Sequence, residues 1–597
     1  MIIKRMNTLY QSVKATIHAA EYCLHISIKF AKKYTFLRFF LQTVSSIVPV
    51  SILYINKNLL NCITHKDSDS VFILLYILFF VTVSSFVLEQ FSDYIASVED
   101  GRILNKLSVE LSKHCMSLES SHFDKPDTYN TIQLARLNIS IIPSAIWDIW
   151  LLFTNLLTYF YMFILLARIN LFIAICLTFA EVPYSVASIR NVEKRHEWEH
   201  KNAGIRRRSD YFERISYDFS FVEDIRGLGI QDYITHKIDK FRETIFQNEK
   251  KLMINAKKSV LPVMCLPEIA FLIFAIHQTG ILFATESDAG DFLFVFGLFS
   301  SLMSSTNSII SGVSKIHSNS LRIKTIEEFM SYRVEKDKTD ALEIDEIETI
   351  TFQNVVFRYP GCKDNAIDDI SFVLRKNESV CFVGENGSGK TTIIKLLLRL
   401  YDPLRGKILI NDIDIKEYSR ESIRKQFSIV LQSFHIFPLS LIENIQMGSD
   451  NSLKEDQMLE VLRNAGGDDI TKKIDPHTNL TKLFDSKGYE PSLGESQKIA
   501  LARAFFRDTK VFVFDEPSSS LDPISEYQLI KDIEKKVEDK TVIYTAHRLN
   551  TVTFANKIIV IQNGKIIEEG TKKELIEKKG TFYRMYVAQK TYYDVKN

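Results

Sequence analysis

The spacing of apolar residues divides this chain into two halves. Val71 to Leu88 and Ile149 to Leu166 carry no charge at all, and each is about long enough to cross a hydrocarbon core of roughly 30 Å. Four further apolar stretches complete a set of six predicted spans. They are 35–55 with Arg38 near its start, 171–189, 259–284 and 292–313. After residue 347 the apolar runs are short. Phe427 to Leu431, Val511 to Phe514, Val542 to Tyr544 and Ile558 to Ile561 read as buried strands, and helical runs alternate with them. The pattern predicts an all-α, six-helix transmembrane domain over 1–330 and an α/β domain over 347–597. Residues 331–346, charged and poor in large apolar side chains, read as a linker.

Charge sets the expected orientation. Lys29, Lys32 and Lys33 precede the first span, and Arg190, Lys194, Arg195, Lys201, Arg206, Arg207 and Arg208 follow the fourth. The connection between spans five and six holds Glu286, Asp288 and Asp291 and no basic residue. Basic flanks stay cytosolic, so both termini and the α/β domain are expected in the cytosol of a cell whose membrane the helices cross. Overall, 74 basic residues face 73 acidic ones. That balance carries no electrostatic footprint for nucleic acid. Seven cysteines are scattered without a C-x-x-C pair, so neither a disulfide framework nor a zinc site is expected. Lys4 and Arg5 are not followed by an uninterrupted apolar core, so no removable signal peptide is expected.

The chemistry lies in the second half. Gly384-Glu385-Asn386-Gly387-Ser388-Gly389-Lys390-Thr391 is a complete G-x-x-x-x-G-K-T loop. The apolar run Val380-Cys381-Phe382-Val383 precedes it, and the helical run from Thr392 follows. Glycines at these positions let backbone N–H groups turn onto phosphate oxygens, and the helix N-terminus adds its positive end. Lys390 would reach the terminal phosphates and Thr391 a magnesium ion. Val511-Phe512-Val513-Phe514-Asp515-Glu516 is a buried strand ending in two acids. In a phosphate-loop site the first, Asp515, serves magnesium, and the second, Glu516, polarises an attacking water. ATP and Mg2+ are the expected cofactors.

At this point the chain resembles the ATP-binding cassette (ABC) exporters: six spans followed by one cassette, the layout of a half-transporter. The resemblance implies further site residues. Tyr359, in Phe357-Arg358-Tyr359-Pro360, matches the aromatic that stacks on adenine. Gln432 matches the glutamine that contacts magnesium and the attacking water. Ser519-Ser520-Leu521-Asp522 matches the loop that crosses to the other cassette, and His547 the histidine that holds the γ-phosphate. Thr392 belongs with the nucleotide-contacting residues that close the phosphate loop.

One element departs from the family pattern. Where the family's signature loop reads L-S-G-G-Q or L-S-G-G-E, this chain reads Pro491-Ser492-Leu493-Gly494-Glu495. Ser492, Gly494 and Glu495 are kept, and a leucine replaces the first glycine. In the family this loop presses on the ATP held by the other cassette, so Leu493 implies a weakened contact. Two arrangements stay open. One is a homodimer with two equal sites. The other is a heterodimer in which this chain supplies the hydrolysing half and its partner an intact signature.

Ser117 to Tyr129 resembles the first coupling segment of such exporters, and Tyr211-Phe212 lies near the second. Within the spans, Glu181 and Glu268 each fall roughly 15 Å of helix from a membrane face, a depth at which ionisable residues mark a cavity or a partner. Span six adds a polar band, Ser300, Ser301, Ser304, Ser305, Thr306, Asn307 and Ser308. The expectation is ATP-driven export by a dimer of half-transporters embedded in lipid, with an unidentified cargo of which a peptide is one class. An ATP-gated channel or regulatory receptor on the same scaffold, or a lipid or multidrug flippase, is the alternative.

Overall fold

The computed structural model describes residues 2–285, 289–449, 454–517, 523–546, 549, 552 and 555–594. They form two compact units. One comprises Met1–Met116 and Asn130–Tyr332, the other Ser117–Tyr129 and Arg333–Asn597.

The first unit is built from long helices. They are α1 (Ile2–Ser45), α2 (Val48–Thr64), α3 (Ser68–Met116), α4 (Pro126–Asn138), α5 (Ile141–Tyr217), α6 (Phe219–Gly227), α7 (Gln231–Thr285) and α8 (Ala289–Met330); the first residues of α4 belong to the second unit. Among the described residues, five helical stretches are long and apolar enough to cross a membrane: Lys14–Thr64, Ser68–Met116, Ile141–Cys176, Gln231–Gly280 and Ala289–Met330. The expected fourth span, 171–189, is not one of these five. It forms the second arm of α5, beyond Asn170, whose backbone leaves the helical region at φ −155° and ψ 103°. There the chain reverses. The Tyr159 hydroxyl lies 2.8 Å from Thr178 Oγ1, whereas a straight helix would hold these residues roughly 28 Å apart. Met162, Leu166 and Ala174 from the two arms share one buried cluster with Phe274, Val295, Leu298, Phe299 and Leu302.

Charge is also buried in this unit. Arg38 and Glu99 are fully buried and paired, with Nη1 2.7 Å from Oε2. Ser27 and Thr35 donate to Glu99 Oε1 at 2.6 and 2.8 Å, and the guanidinium lies 4.7 Å over the Trp147 ring. The two hydroxyls satisfy Glu99 Oε1, while Arg38 Nε and Nη2 are buried without a hydrogen-bond partner among the described residues and the guanidinium has the Trp147 ring against it, which leaves part of the desolvation cost of the pair uncompensated.

The second unit is a two-sheet α/β domain. Strands β1 (Thr349–Phe357), β2 (Ile367–Arg375), β3 (Ser379–Val383), β4 (Arg405–Ile410), β5 (Ile413–Asp414), β6 (Phe427–Val430), β7 (Val511–Asp515), β8 (Thr541–Ala546), β9 (Lys557–Gln562) and β10 (Lys565–Gly570) carry it. The antiparallel sheet runs β2-β1-β4-β5, and the larger one β10-β9-β3-β8-β7-β6. In the larger sheet β9, β3, β8, β7 and β6 are parallel and β10 is an antiparallel edge.

Side-chain alternation along a strand explains how both faces fill. Val511 and Val513 enter a core shared with Ile350, Phe352 and Phe372. Phe512 and Phe514 enter a second core with Ile499, Leu501 and Phe505. Helix α9 (Lys390–Leu397) follows β3, and α10 (Arg420–Lys425), α11 (Leu441–Gln446), α12 (Glu455–Asn464) and α13 (Asp468–Thr471) lead to α14 (Leu493–Arg507), which carries Ile499, Leu501 and Phe505. Residues 331–346 lie partly against this unit. Arg424 grips Glu335 through two 2.8 Å bonds, and Ile344 is buried.

Candidate functional site

Strand β3 delivers the chain into the phosphate loop, and the glycines of that loop answer to space as well as to backbone angle. A Cβ on Gly384 would stand 2.3 Å from Ile561 O, and one on Gly389 would stand 2.7 Å from Ala366 O. Gly389 also caps α9 at φ 112°, and Gly387 sits at φ 78°, a region that L side chains rarely adopt. The loop therefore turns tightly ahead of α9, with no room for a side chain at Gly384 or Gly389.

Lys390 folds back over this loop. Its Nζ donates to Gly384 O at 2.8 Å and to Glu385 O at 3.0 Å. Burial lowers the pKa of its ammonium, and Glu516 and Asp515 oppose that shift. Glu385 and Asn386 at the crest of the loop are exposed, and Thr391 is half-buried. Thr392 is buried and lies 3.2 Å from the Tyr359 hydroxyl. Tyr359 meets Phe357 and Tyr401 edge to face, and Lys395 Nζ stands 5.3 Å from its ring centroid. The sequence-predicted aromatic is thus tied directly to the phosphate-loop helix.

The two acids lie at the end of β7 in different settings. Asp515 is 1% exposed. Its Oδ1 accepts a 2.7 Å bond from Thr545 Oγ1, while Oδ2 is buried with no partner among the described residues. Ser388 Oγ on the phosphate loop is likewise buried without one. Glu516 takes the left-handed conformation, φ 54°. Its N–H donates to the same Thr545 Oγ1 at 3.0 Å, and its Oε2 accepts from Gln432 Nε2 at 2.9 Å. Thr545 thus fixes both acids at once. No motif singles it out, although its place at the end of a buried strand just before Ala546-His547 is the signal that could have found it. His547, Asp522 and the rest of Ser519-Ser520-Leu521-Asp522 lie outside the described residues.

The signature loop is displayed on the surface of its own unit. Ser492 caps α14 through a reciprocal box: Glu495 N–H donates to Ser492 Oγ at 3.3 Å, and Ser492 N–H to Glu495 Oε2 at 2.8 Å. Burial alone would raise Glu495. Bonds from Lys473 at 2.6 Å, from the Ser492 backbone and from Tyr489 at 2.9 Å outweigh it and bring the carboxyl down to about 2. The Glu495 side chain is thereby committed to holding the loop. Leu493 is 63% exposed at the first turn of α14, with Gly494 half-buried behind it. Among the described residues, Ser492, Gly494 and Glu495 make no hydrogen bond to residues 384–392, so one chain does not bring these two halves of the predicted site together.

In the helical unit, Glu181 is 3% exposed, and neither of its carboxylate oxygens has a partner among the described residues. Glu268 is exposed and lines a cavity of about 500 Å³ with Ser300, Ser304, Asn307, Ser308 and Lys315.

Residues 367–519 match the family model of the ABC transporter. The chain is 29% identical over 546 residues to the subtilin transport ATP-binding protein of Bacillus subtilis, covering 89% of this chain and 88% of that one. It is 26% identical over 578 residues to the ATP-dependent lipid A-core flippase of Haemophilus ducreyi, covering 91% and 94%. A bacterial Atm1-family ABC exporter solved with ATP bound has the same fold, with TM-score 0.76 at 18% identity over 94% of this chain and 98% of that one. With the phosphate loop, the paired acids and the helical unit in one polypeptide, residues 367–519 carry the ATPase domain of an ABC transporter, and the chain is similar over nearly its whole length to ABC exporters, which supports ATP hydrolysis coupled to transport.

Proposed function

We propose that the protein is one half of a dimeric exporter of the cytoplasmic membrane, that both its termini and its cassette lie in the cytosol, and that its cargo is a peptide. The observation that carries the cargo reading is the cavity beside Glu268. Its walls combine a carboxylate, an ammonium (Lys315) and the hydroxyls and amide of α8, a set suited to backbone amides and cationic side chains. The full-length similarity to a subtilin transport protein supports the same class. A lipid cargo is the second reading, favoured by the similarity to a lipid A-core flippase.

In this reading Gly384 to Thr392 and Tyr359 hold ATP, with Lys390 on the terminal phosphates. Glu516 orients the attacking water with Gln432, and His547 holds the γ-phosphate. Ser492, Gly494 and Asp522 meet the nucleotide of the partner cassette, while Glu495 braces the loop that presents Ser492. The residues fit magnesium. Asp515 Oδ2 is a buried carboxylate oxygen with no partner among the described residues, and Thr391 and Gln432 supply the neutral oxygens such an ion takes. Bound there, Mg2+ would neutralise charge on the transferring phosphoryl group. Leu493 leaves homodimer and heterodimer equally served.

The test is reconstitution into liposomes with candidate peptides and lipid probes. Peptide-stimulated ATP turnover with vesicle uptake, and no ion conductance, supports the reading. Stimulation by lipid alone would move it to the flippase reading, and conductance would move it to a channel.

A further inference from the structure

The helical unit contains a second, smaller cleft, far in chemistry from the serine-lined one. It encloses about 310 Å³ between the α1–α2 junction and the first arm of α5, and its lining is Ile47, Val50, Tyr161, Ile164, Leu165 and Arg168. The break that opens it is local. α1 ends at Ser45, α2 starts at Val48, and Pro49, lacking an N–H, occupies the first turn of α2. Tyr161, Ile164, Leu165 and Arg168 follow the i, i+3, i+4, i+7 spacing of one helix face. That face carries an apolar centre with a phenol at one end and a guanidinium at the other.

Arg168 and Tyr161 make no hydrogen bond or ion pair among the described residues. Arg168 is exposed two residues before the reversal at Asn170, the end of a span where a long cationic side chain reaches the level of lipid headgroups. The guanidinium presents a planar fork of donors that matches a phosphate.

We propose that this cleft is a binding site for one anionic phospholipid. Arg168 and Tyr161 hold the phosphodiester, and an acyl chain lies along Ile47, Val50, Ile164 and Leu165. The proposal rests on α5 spanning a bilayer and is independent of the cargo and of the cassette chemistry. Charge decides the occupant: an apolar cleft alone takes any acyl chain, while an unpaired guanidinium at its mouth selects a lipid with net negative charge.

The test uses the full chain in phosphatidylcholine nanodiscs, doped with phosphatidylglycerol bearing a photoactivatable acyl chain, with crosslinked residues mapped by mass spectrometry. Labelling is expected at 47–50 and 161–168, about fivefold above that from a matched phosphatidylcholine probe, the preference one surface cation gives. Arg168→Ala should bring the two probes level, Arg168→Lys should keep part of the preference, and Tyr161→Phe should reduce it. Arg168→Lys and Tyr161→Phe carry the test if the alanine variant does not elute as a single species. Equal labelling by both probes, or labelling unmoved by all three variants, overturns the proposal. Competition by inorganic phosphate would show a free-anion site and overturn it. Disulfide formation between Ile164→Cys copies in the assembled transporter would show a second copy covering the cleft and overturn it too.

Discussion

Gln432 donates a 2.9 Å hydrogen bond to Glu516, and Glu516 is held at φ 54°. A bulky residue in the left-handed region costs strain that surrounding contacts must sustain. Here the Thr545 hydroxyl holds its N–H and Gln432 its carboxylate. Glu516→Gln should lower ATP turnover by roughly 10²-fold or more, the usual worth of a positioned acid or base, while nucleotide still binds. Steady-state phosphate release read beside fluorescent-ATP binding checks this. Turnover equal to the parent's would remove Glu516 from the chemistry.

Thr545 makes a sharper prediction because it braces both acids. Thr545→Val keeps the shape of the strand and deletes the hydroxyl, leaving Asp515 Oδ1 and the Glu516 N–H without that partner. Turnover should fall about tenfold or more, and thermal stability by about 1–3 kcal/mol, the cost of an unsatisfied buried polar group. Calorimetry and phosphate release on the same preparation would read both.

Glu495 gives a dependence on pH. Its carboxyl titrates near 4.5 when unconstrained and near 2 when folded. A lowered folded value means the stabilisation is complete above about 4.5 and is lost as pH falls from there towards 2. Glu495→Ala should therefore unfold at lower denaturant than the parent at pH 7, by about 1–2 kcal/mol for a lost capping box. The gap should narrow below pH 4.5. A gap independent of pH across that window would show that Lys473 and Tyr489 do not set the charge of Glu495.

Leu493→Gly restores the family pattern at an exposed position. In a homodimer, ATP turnover should rise several-fold, with helix stability falling by about 1 kcal/mol. No rise in the purified chain, with a rise only when a second half-transporter is co-expressed, would assign the heterodimer.

Glu268→Gln should reduce the cargo-dependent increment of ATP turnover, and Glu181→Gln should do so through its buried position next to α7. Dose–response curves with a stimulating peptide measure this. Curves superposing on the parent's would detach both acids from cargo.

Much of the cassette is legible in the order of its residues. The phosphate loop can be read because close approach tolerates only glycine at Gly384 and Gly389, and such a requirement leaves a fixed spacing. The strands of the larger sheet stand out as short runs buried on both faces. Asn170 is legible as a gap in hydropathy, though only the 2.8 Å approach of Tyr159 to Thr178 shows a hairpin.

What the sequence hides is long-range. The commitment of Glu495 to Lys473 depends on residues that no motif links. The double duty of Thr545 arises where two parallel strands end side by side. A short window along the chain contains neither relationship.

The membership of Ser117–Tyr129 in the second unit has a practical corollary. Leu118 forms a β-bridge with Val334, Glu335 N–H donates to Ser117 O, and the Tyr401 hydroxyl donates to Asp124 Oδ2 at 2.9 Å. An ATPase fragment cut out at Arg333 would leave its own borrowed piece behind, so the phenol of Tyr401 and the edge at Val334 would face water. Supplying 117–129 as a synthetic peptide, or grafting it to the fragment's N-terminus, is the natural repair for anyone who wants the soluble half alone.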